Sequence, residues 1–137
     1  MFEIKKSITG YGEKDKIWKL YSDVSRWSIW DKSVKAVALT GEFVEGSNGV
    51  MEMINGMKMP FVISECTSHK SFSTKSELGN ICIVFIHNIE QNENQVTISH
   101  EIIIEGGEER QMEGIGNQIS EGLDECLQRL IAMSNDQ

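Results

Sequence analysis

Residues 71–104 read SFSTKSELGNICIVFIHNIEQNENQVTISHEIII, and this stretch decides the fold class. Polar and apolar residues alternate through most of it, which is typical of strands that bury one face. Turn signals lie at Gly79-Asn80 and in the polar run at 91–94. We therefore predict three strands, at 70–78, 80–90 and 95–105. Short turns make neighbouring strands antiparallel, so the stretch predicts an antiparallel sheet.

The alternation extends back to residue 33, and three further strands are predicted at 34–41, 49–54 and 58–67. A first strand is predicted at 2–9, and helical spacing of apolar residues predicts helices at 13–23 and 25–30. After Gly106-Gly107, apolar residues at steps of three and four predict one long amphipathic helix at 108–133. The predicted order is thus strand, two helices, six strands and a long helix.

Counting residues across the turns assigns the side chains to the two faces of the sheet, because residues opposite each other share a face. A loop at 91–94 puts Phe85 opposite His100 and His87 opposite Ile98, so the two histidines are diagonal neighbours. The predicted inward face is mostly apolar and has a few polar side chains. It contains Met51, Met53, Met59, Phe61, Ile63, Glu65, Phe72, Thr74, Ser76, Ile83, Phe85, His87, Ile98, His100 and Ile102.

The long helix has the apolar stripe that can cover this face, so we expect the sheet to wrap around it. Met112, Ile115 and Ile119 on that helix should then face the sheet. The opposite face of the sheet carries mostly polar side chains. Its exception is an apolar stripe of Cys82, Val84 and Ile86. These three residues are either scattered surface hydrophobics or the contact of a homodimer.

Composition excludes several classes of partner. The chain has 137 residues and a formal net charge of −8, whereas nucleic acids and anionic membrane surfaces attract clustered Lys and Arg. The longest apolar run, ICIVFI at 81–86, is far too short for membrane insertion. Three widely spaced cysteines and no signal peptide favour a cytoplasmic location. We predict one domain over residues 1–137, without a cofactor or metal, because no nucleotide or metal motif occurs.

The stretch at 17–31, IWKLYSDVSRWSIWD, with the segment VKAVALTGEFVEGSNGVMEM at 34–53, resembles the START-like (SRPBCC) superfamily. Within that superfamily it is similar to the polyketide cyclase/dehydrase and lipid-transport family. The likeness extends over nearly the whole order of elements. The residues that carry it are the pair Ile17-Trp18, then Asp23, Trp27 and Trp30, and the glycines Gly41, Gly46 and Gly49.

The resemblance implies an α+β helix-grip fold, in which a curved antiparallel sheet wraps around a long C-terminal helix and leaves a cavity between them. Members of the superfamily bind lipids, sterols, polyketides, hormones or other apolar molecules there, and some catalyse cyclisation or dehydration. The expected ligand-binding residues are the inward residues named above apart from Glu65, together with Trp27, Trp30, Met112, Ile115 and Ile119. The first expectation is a non-enzymatic protein that binds a small lipid-, polyketide- or isoprenoid-like molecule.

Three alternatives stay open at this point. The first is that the inward residues form a filled core, since a packed core and a cavity wall share one sequence pattern. A cyclase or dehydrase is the second alternative, with His87, His100 and Glu65 as the candidate catalytic residues. The third is a protein-interaction module with a closed core, whose partner binds the stripe of Cys82, Val84 and Ile86.

Overall fold

The computed structural model describes residues 1–135, which form seven strands, four α-helices and one short 3-10 helix. In chain order these are β1 Phe2–Tyr11, α1 Lys14–Ser22, the 3-10 helix Val24–Arg26, α2 Trp27–Trp30, β2 Val34–Thr40, β3 Asn48–Met53, β4 Lys58–Thr67, β5 Ser71–Leu78, β6 Ile81–Asn92, β7 Gln95–Glu105, α3 Glu109–Ser120 and α4 Leu123–Ser134. The predicted order of elements is confirmed, and most boundaries differ from the prediction by one or two residues.

The seven strands form one antiparallel sheet in the order β1-β7-β6-β5-β4-β3-β2. Each of β2 to β6 pairs with the next strand in the chain, as short turns require. Strand β1 pairs with β7, so α1 and α2 carry the chain from one edge of the sheet to the other. The curved sheet holds the C-terminal helices α3 and α4 against its concave face, which confirms the predicted fold class.

The register of β6 against β7 differs from the prediction by two residues. His87 lies directly opposite His100, and Phe85 lies opposite Ile102. Strand β6 continues to Asn92 and β7 begins at Gln95. The turn between them has two residues, and Glu93 in it has a φ of 59°. A shift of two residues leaves each side chain on its predicted face, because side chains alternate with a period of two. The histidines are therefore direct partners and not diagonal neighbours.

A β-bulge in β4 overturns the predicted position of Glu65. The register shifts between Ile63 and Glu65, so Glu65 pairs with Ser73, on the convex face of the sheet, and not with Phe72. The extra residue of a bulge moves the next side chain to the opposite face. There the Glu65 carboxylate accepts hydrogen bonds from Ser71 Oγ at 2.7 Å and from Thr67 Oγ1 at 3.0 Å.

The three methionines of β3 and β4 share the concave face, as predicted. Met51 pairs with Met59, and both side chains are buried, whereas Met53 is half-buried at the end of β3. The turn between the strands begins one residue earlier than expected, and Gly56 in this turn has a φ of 91°. This positive φ suits glycine, which has no Cβ to clash with the backbone.

The C-terminal segment is helical but interrupted, whereas the sequence predicts one continuous helix. It breaks at Glu121 and Gly122, where Gly122 has φ −98° and ψ 5°. Glycine is one of the weakest helix formers, so an interruption is least costly there. Helix α4 packs against β1, β7, α1 and α2, whereas α3 packs against β1 and β7.

Aromatic residues close one end of the concave face. The Trp27 ring stacks between Phe61 and Phe72, with ring centroids 5.7 and 5.8 Å away. Its Nε1 donates to the backbone oxygen of Tyr21 at 2.8 Å, and Trp30 Nε1 donates to the Leu20 oxygen at 3.2 Å. These bonds fix α2 against α1, so the space left by the helices lies at the other end of the sheet.

The apolar stripe of Cys82, Val84 and Ile86 lies on the convex face and is half-buried by its neighbours. A homodimer through this stripe stays a prediction. Among residues 1–135, no helix combines the length and apolar character needed to cross a membrane.

Candidate functional site

A cavity of about 670 Å³ lies between the concave face of the sheet and the helices. Strands β3 to β7 form its floor, α3 and the first half of α4 form its roof, and α2 with the loop after it forms one side. This volume falls within the range of natural small-molecule sites, which is about 300–1,000 Å³. The inward face is therefore only partly filled by side chains.

Most of the predicted ligand-binding residues line this cavity. They are Trp27, Trp30, Met51, Met53, Met59, Thr74, Ile83, Phe85, His87, His100, Ile102, Ile115 and Ile119. The wall is mainly aliphatic and sulfur-containing, and its polar groups are few in number. Such a lining favours an apolar molecule, and the flexible methionine side chains can adapt to different shapes.

Six of the predicted residues are inward but do not line the cavity. They are Phe61, Ile63, Phe72, Ser76, Ile98 and Met112, all of them buried. The aromatic stack of Trp27 occupies the space above Phe61 and Phe72, so that end of the sheet is packed core. The Ser76 hydroxyl is fully buried and, within residues 1–135, has no hydrogen-bond partner. Side-chain parity identifies the face of a residue but not whether a helix fills the space above it.

The His87 ring is held at the boundary between core and cavity. It stacks on the Phe72 ring with centroids 4.0 Å apart and an interplanar angle of 4°. Its Nδ1 lies 3.4 Å from the Phe72 carbonyl oxygen. Burial lowers the pKa of His87 to about 3, although the bond to the Phe72 carbonyl favours the protonated form. The imidazole is therefore neutral at physiological pH.

His100 is paired with a buried tyrosine from α1. The hydroxyl of Tyr21 lies 2.7 Å from His100 Nε2, and the Tyr21 side chain is fully buried. Burial lowers the pKa of His100 well below its ordinary value, and the neighbouring His87 adds to this effect. Burial also raises the pKa of Tyr21, so both partners are neutral. The His87 and His100 rings meet edge to face, with centroids 4.5 Å apart.

Tyr21 belongs to this polar cluster, and the sequence analysis did not include it among the site residues. The spacing of Ile17, Leu20 and Tyr21 indicated the buried face of α1. A buried tyrosine needs a partner for its hydroxyl, and that requirement was the available signal. The partner is 79 residues away in the chain, so only the packing of α1 on the sheet identifies it.

Charged side chains surround the mouth of the cavity, and the sequence analysis missed them too. Lys32 Nζ lies 2.6 Å from Glu125 Oε1, and Arg129 Nε lies 3.4 Å from the same oxygen. Arg129 also donates to the Ile29 carbonyl at 3.0 Å, which ties α4 to α2. The hydrogen bond from Lys32 lowers the pKa of Glu125. Glu125 and Arg129 have the i,i+4 spacing of an ion pair on a helix, but Lys32 is distant in the chain, so the sequence did not show that the three residues meet.

Cys126 lines the cavity just inside this mouth. Burial, followed by the nearby Asp31 carboxylate, raises the pKa of its thiol to about 12. A nucleophilic cysteine needs a lowered pKa, so this thiol is not activated. Glu65, the third candidate catalytic residue, lies on the convex face and outside the cavity. In the part of the chain described here, no three His, Cys, Asp or Glu side chains are arranged to hold a metal ion.

Comparison with known proteins gives fold-level likeness only. No family model matches the chain, and no curated protein matches it. Among solved structures, a hypothetical protein from Helicobacter pylori matches 98% of this chain and 88% of its own, with a TM-score of 0.81 at 13% identity. Truncated norcoclaurine synthase from Thalictrum flavum matches 99% of this chain and 94% of its own, with a TM-score of 0.76 at 9% identity. Ara h 8.0201 matches 96% and 98% of the two chains, with a TM-score of 0.71 at 9% identity.

The chain has the helix-grip fold. This agreement confirms the fold that the START-like resemblance implied. Identities of 9–13% to these neighbours carry no information about a shared ligand or reaction.

Proposed function

We propose that this protein is a START-like ligand-binding domain, spanning residues 1–137, that binds one small hydrophobic molecule. The observation that carries the proposal is the cavity of about 670 Å³, because a core of this size normally packs without such a space. Its wall is mainly apolar, so the binding free energy would come chiefly from burying apolar surface. We expect a lipid-, polyketide- or isoprenoid-like ligand.

The proposed binding residues are those that line the cavity from the sheet and the roof. Met51, Met53 and Met59 form an adaptable wall, and Ile115 and Ile119 of α3 cover the ligand. We propose that this covering is movable, because α3 buries fewer side chains than α4 does. The cytoplasmic location expected from the sequence belongs to the same proposal.

A binding role is favoured over a cyclase or dehydrase by the state of the two histidines. A general base works best when its pKa is near the working pH. Burial lowers the pKa of His87 to about 3 and that of His100 also well below its ordinary value. Neutral imidazoles with such low pKa values are poor bases but remain good hydrogen-bonding groups. The open cavity likewise speaks against an interaction module with a closed core.

Native mass spectrometry of freshly purified protein tests the proposal. We expect a bound apolar molecule whose mass is lost when the protein is denatured. The uncharged fluorophore 1-methylpyrene provides a direct titration, and we expect one molecule bound per chain. Ile119→Trp, which fills the cavity, should weaken this binding about tenfold or more. The matched control is Ile29→Trp, because Ile29 is exposed and lies outside the cavity wall.

The proposal fails if the purified protein carries no ligand, a panel of lipids and polyphenols gives no thermal shift, and 1-methylpyrene does not bind. Equal binding of 1-methylpyrene to Ile119→Trp, Ile29→Trp and the unmodified protein would place the fluorophore on the surface and would also contradict it.

A further inference from the structure

The hydrogen-bonding capacity of Tyr21 determines which nitrogen of His100 carries the proton. The Tyr21 hydroxyl is buried, and His100 Nε2 is its one partner within residues 1–135. If Nε2 donated to the hydroxyl, the phenolic hydrogen would be buried without an acceptor, which is costly. Tyr21 therefore donates to Nε2. Because His100 is neutral and has a single N–H, its proton lies on Nδ1.

The same reasoning applies to His87, but there the ring nitrogen without a partner is an acceptor and not a donor. A carbonyl oxygen only accepts, so the contact of Nδ1 with the Phe72 carbonyl places the proton on Nδ1. The neutral His87 ring then has a bare Nε2, which is an acceptor. The two imidazoles thus differ in what they leave unpaired. His100 leaves a donor and His87 leaves an acceptor.

Both unpaired nitrogens border the cavity. In the described chain, the Ser76 hydroxyl is the one completely buried side-chain polar atom without a partner. His100 Nδ1 and His87 Nε2 have no protein partner, so each must keep some accessible surface. The two residues are only 4% and 8% exposed, and both line the cavity. The accessible space next to these nitrogens is therefore the cavity itself.

We infer that this histidine pair binds the hydroxyl group of an otherwise apolar alcohol or phenol, an inference that rests on the proposed cavity binding. His100 Nδ1–H donates to the hydroxyl oxygen, and the hydroxyl hydrogen is donated to His87 Nε2. The ring centroids are 4.5 Å apart. One oxygen can bridge two nitrogens up to about 5.6 Å apart, since each hydrogen bond spans about 2.8 Å.

A hydroxyl is the group that satisfies both nitrogens at once. A carbonyl or an ether oxygen can accept from His100 but leaves His87 Nε2 without a donor. A carboxylate or an ammonium would bring a charge next to neutral rings, where burial already disfavours charge. The inference therefore selects alcohols and phenols over ketones, ethers and fatty acids. In this arrangement Tyr21 is a positioning residue, because it acts by holding the His100 tautomer.

Three pyrene derivatives of nearly equal shape test the inference. The hydroxyl of 1-hydroxypyrene both donates and accepts, the ether oxygen of 1-methoxypyrene only accepts, and 1-methylpyrene does neither. Fluorescence titration should show that 1-hydroxypyrene binds about tenfold more tightly than 1-methylpyrene, the order expected for two net hydrogen bonds. The affinity of 1-methoxypyrene should lie between them.

Substitutions in the pair should remove this preference without removing binding. His87→Phe keeps a ring against Phe72 but has no acceptor, so the hydroxyl hydrogen is left unpaired, and this cost offsets the bond that His100 still donates. The ratio of the affinity for 1-hydroxypyrene to that for 1-methylpyrene should therefore fall to about one. His87→Gln supplies an amide acceptor and should restore part of the preference. Tyr21→Phe should lower the ratio by releasing the tautomer of His100, which long-range ¹H–¹⁵N spectra report directly. In the unmodified protein these spectra should show Nδ1–H for both histidines.

The outcomes separate this inference from the proposed function. If all three pyrenes bind equally well to the unmodified protein, cavity binding stands and the hydroxyl-binding site is wrong. An unchanged ratio in His87→Phe also overturns it, as does an Nε2–H tautomer of His100. If none of the pyrenes binds, the hydroxyl-binding site is wrong, and the proposed function fails with it if the purified protein also carries no ligand and the panel gives no thermal shift. A high ratio that His87→Phe abolishes and His87→Gln partly restores supports the inference.

Discussion

Helices α3 and α4 each have twelve residues and each places an apolar stripe against the same sheet, yet they pack very differently. Helix α4 buries Leu123, Cys126, Leu127, Leu130 and Ser134, whereas α3 buries Met112 and Gly116. The cavity explains the difference, because Ile115 and Ile119 of α3 border open space, whereas Leu127 and Leu130 of α4 lie outside the cavity wall in packed core. Periodicity thus predicts which side of a helix turns inward, and the shape opposite it decides how much is buried.

Truncating one apolar side chain on each helix is the strongest test of this difference. Leu130→Ala should lower the free energy of unfolding by about 2–5 kcal/mol, because Leu130 is fully buried and its removal leaves a void. Ile119→Ala removes the same number of carbon atoms from a half-buried side chain that already borders the cavity. Ile119→Ala should therefore lower the free energy of unfolding by about 1 kcal/mol or less. Urea unfolding at 25 °C measures both, and equal losses would contradict the difference in packing.

Acid tests how well the aromatic residues Tyr21 and Trp30 shield the two histidines from water. The pKa of His87 is lowered to about 3 in the folded protein, so below about pH 6.5 the unfolded chain binds a proton that the folded one does not. His87 therefore does not reduce the free energy of unfolding above about pH 6.5. Below that pH the free energy of unfolding falls steadily, until the folded protein also binds the proton near pH 3. Between pH 7 and pH 5 this loss should be about 2 kcal/mol.

The lowered pKa of His100 acts in the same direction over the same range. The free energy of unfolding of His87→Phe should therefore fall less between pH 7 and pH 5 than that of the unmodified protein, by about 2 kcal/mol. His69→Gln, in an exposed turn, is the control. Urea unfolding at pH 7, 6 and 5 measures the profile. If the pH profile of His87→Phe equals that of the unmodified protein, then water reaches His87 and the aromatic residues around it do not shield it.

Two glycines of α3 provide a matched pair of substitutions that tests whether this helix rests on β1. A methyl group on Gly116 would overlap the Phe2 ring of β1, whereas nothing lies within 4 Å of one on Gly114. Gly116→Ala should therefore lower the free energy of unfolding by about 1 kcal/mol, because overpacking forces Phe2 to move. Gly114→Ala should raise it by up to about 1 kcal/mol, since alanine favours the helix. Thermal unfolding shows the sign, and stabilisation by both substitutions would mean that α3 does not rest on β1.

The ion pairs at the mouth should have the smallest effect. Lys32 and Glu125 connect the loop after α2 to α4, and both side chains are about half exposed or more. Exposed pairs contribute little to stability and are screened by salt. Lys32→Ala should leave the midpoint of urea unfolding unchanged within error, at low and at high salt. A clear, salt-sensitive loss would show that this contact holds α4 in place.

The sequence predicted the faces of the strands more accurately than their register. Phe72 pairs with His87 as expected, because a tight turn at Gly79-Asn80 fixed the count. The polar run at 91–94 was predicted to be a loop, but β6 continues to Asn92 and leaves only a two-residue turn. The Gln91 side chain stabilises the turn there by donating to the backbone oxygens of Gly12, Glu93 and Gln95. One of these partners lies 79 residues away, so no local pattern could reveal it.

The position of Glu65 could not be predicted for a related reason. Period-two counting assumes one residue against one residue, and the bulge in β4 breaks that assumption. Nothing in the segment around Ser64 distinguishes a bulge from regular strand. The same limit applies to Tyr21, whose role follows from where α1 crosses the sheet and not from its neighbours in the chain.

The sequence by itself determined the antiparallel sheet, the order of elements and most of the inward face, because alternation, turns and helical spacing are local properties of the chain. The family resemblance added the helix-grip class. Only the tertiary structure decided which inward residues form core and which border the cavity, and which partners fix the two histidine tautomers. These features depend on distances between elements far apart in sequence. Pattern identifies the side that is buried, but the gap left between packed elements exists only once they are assembled.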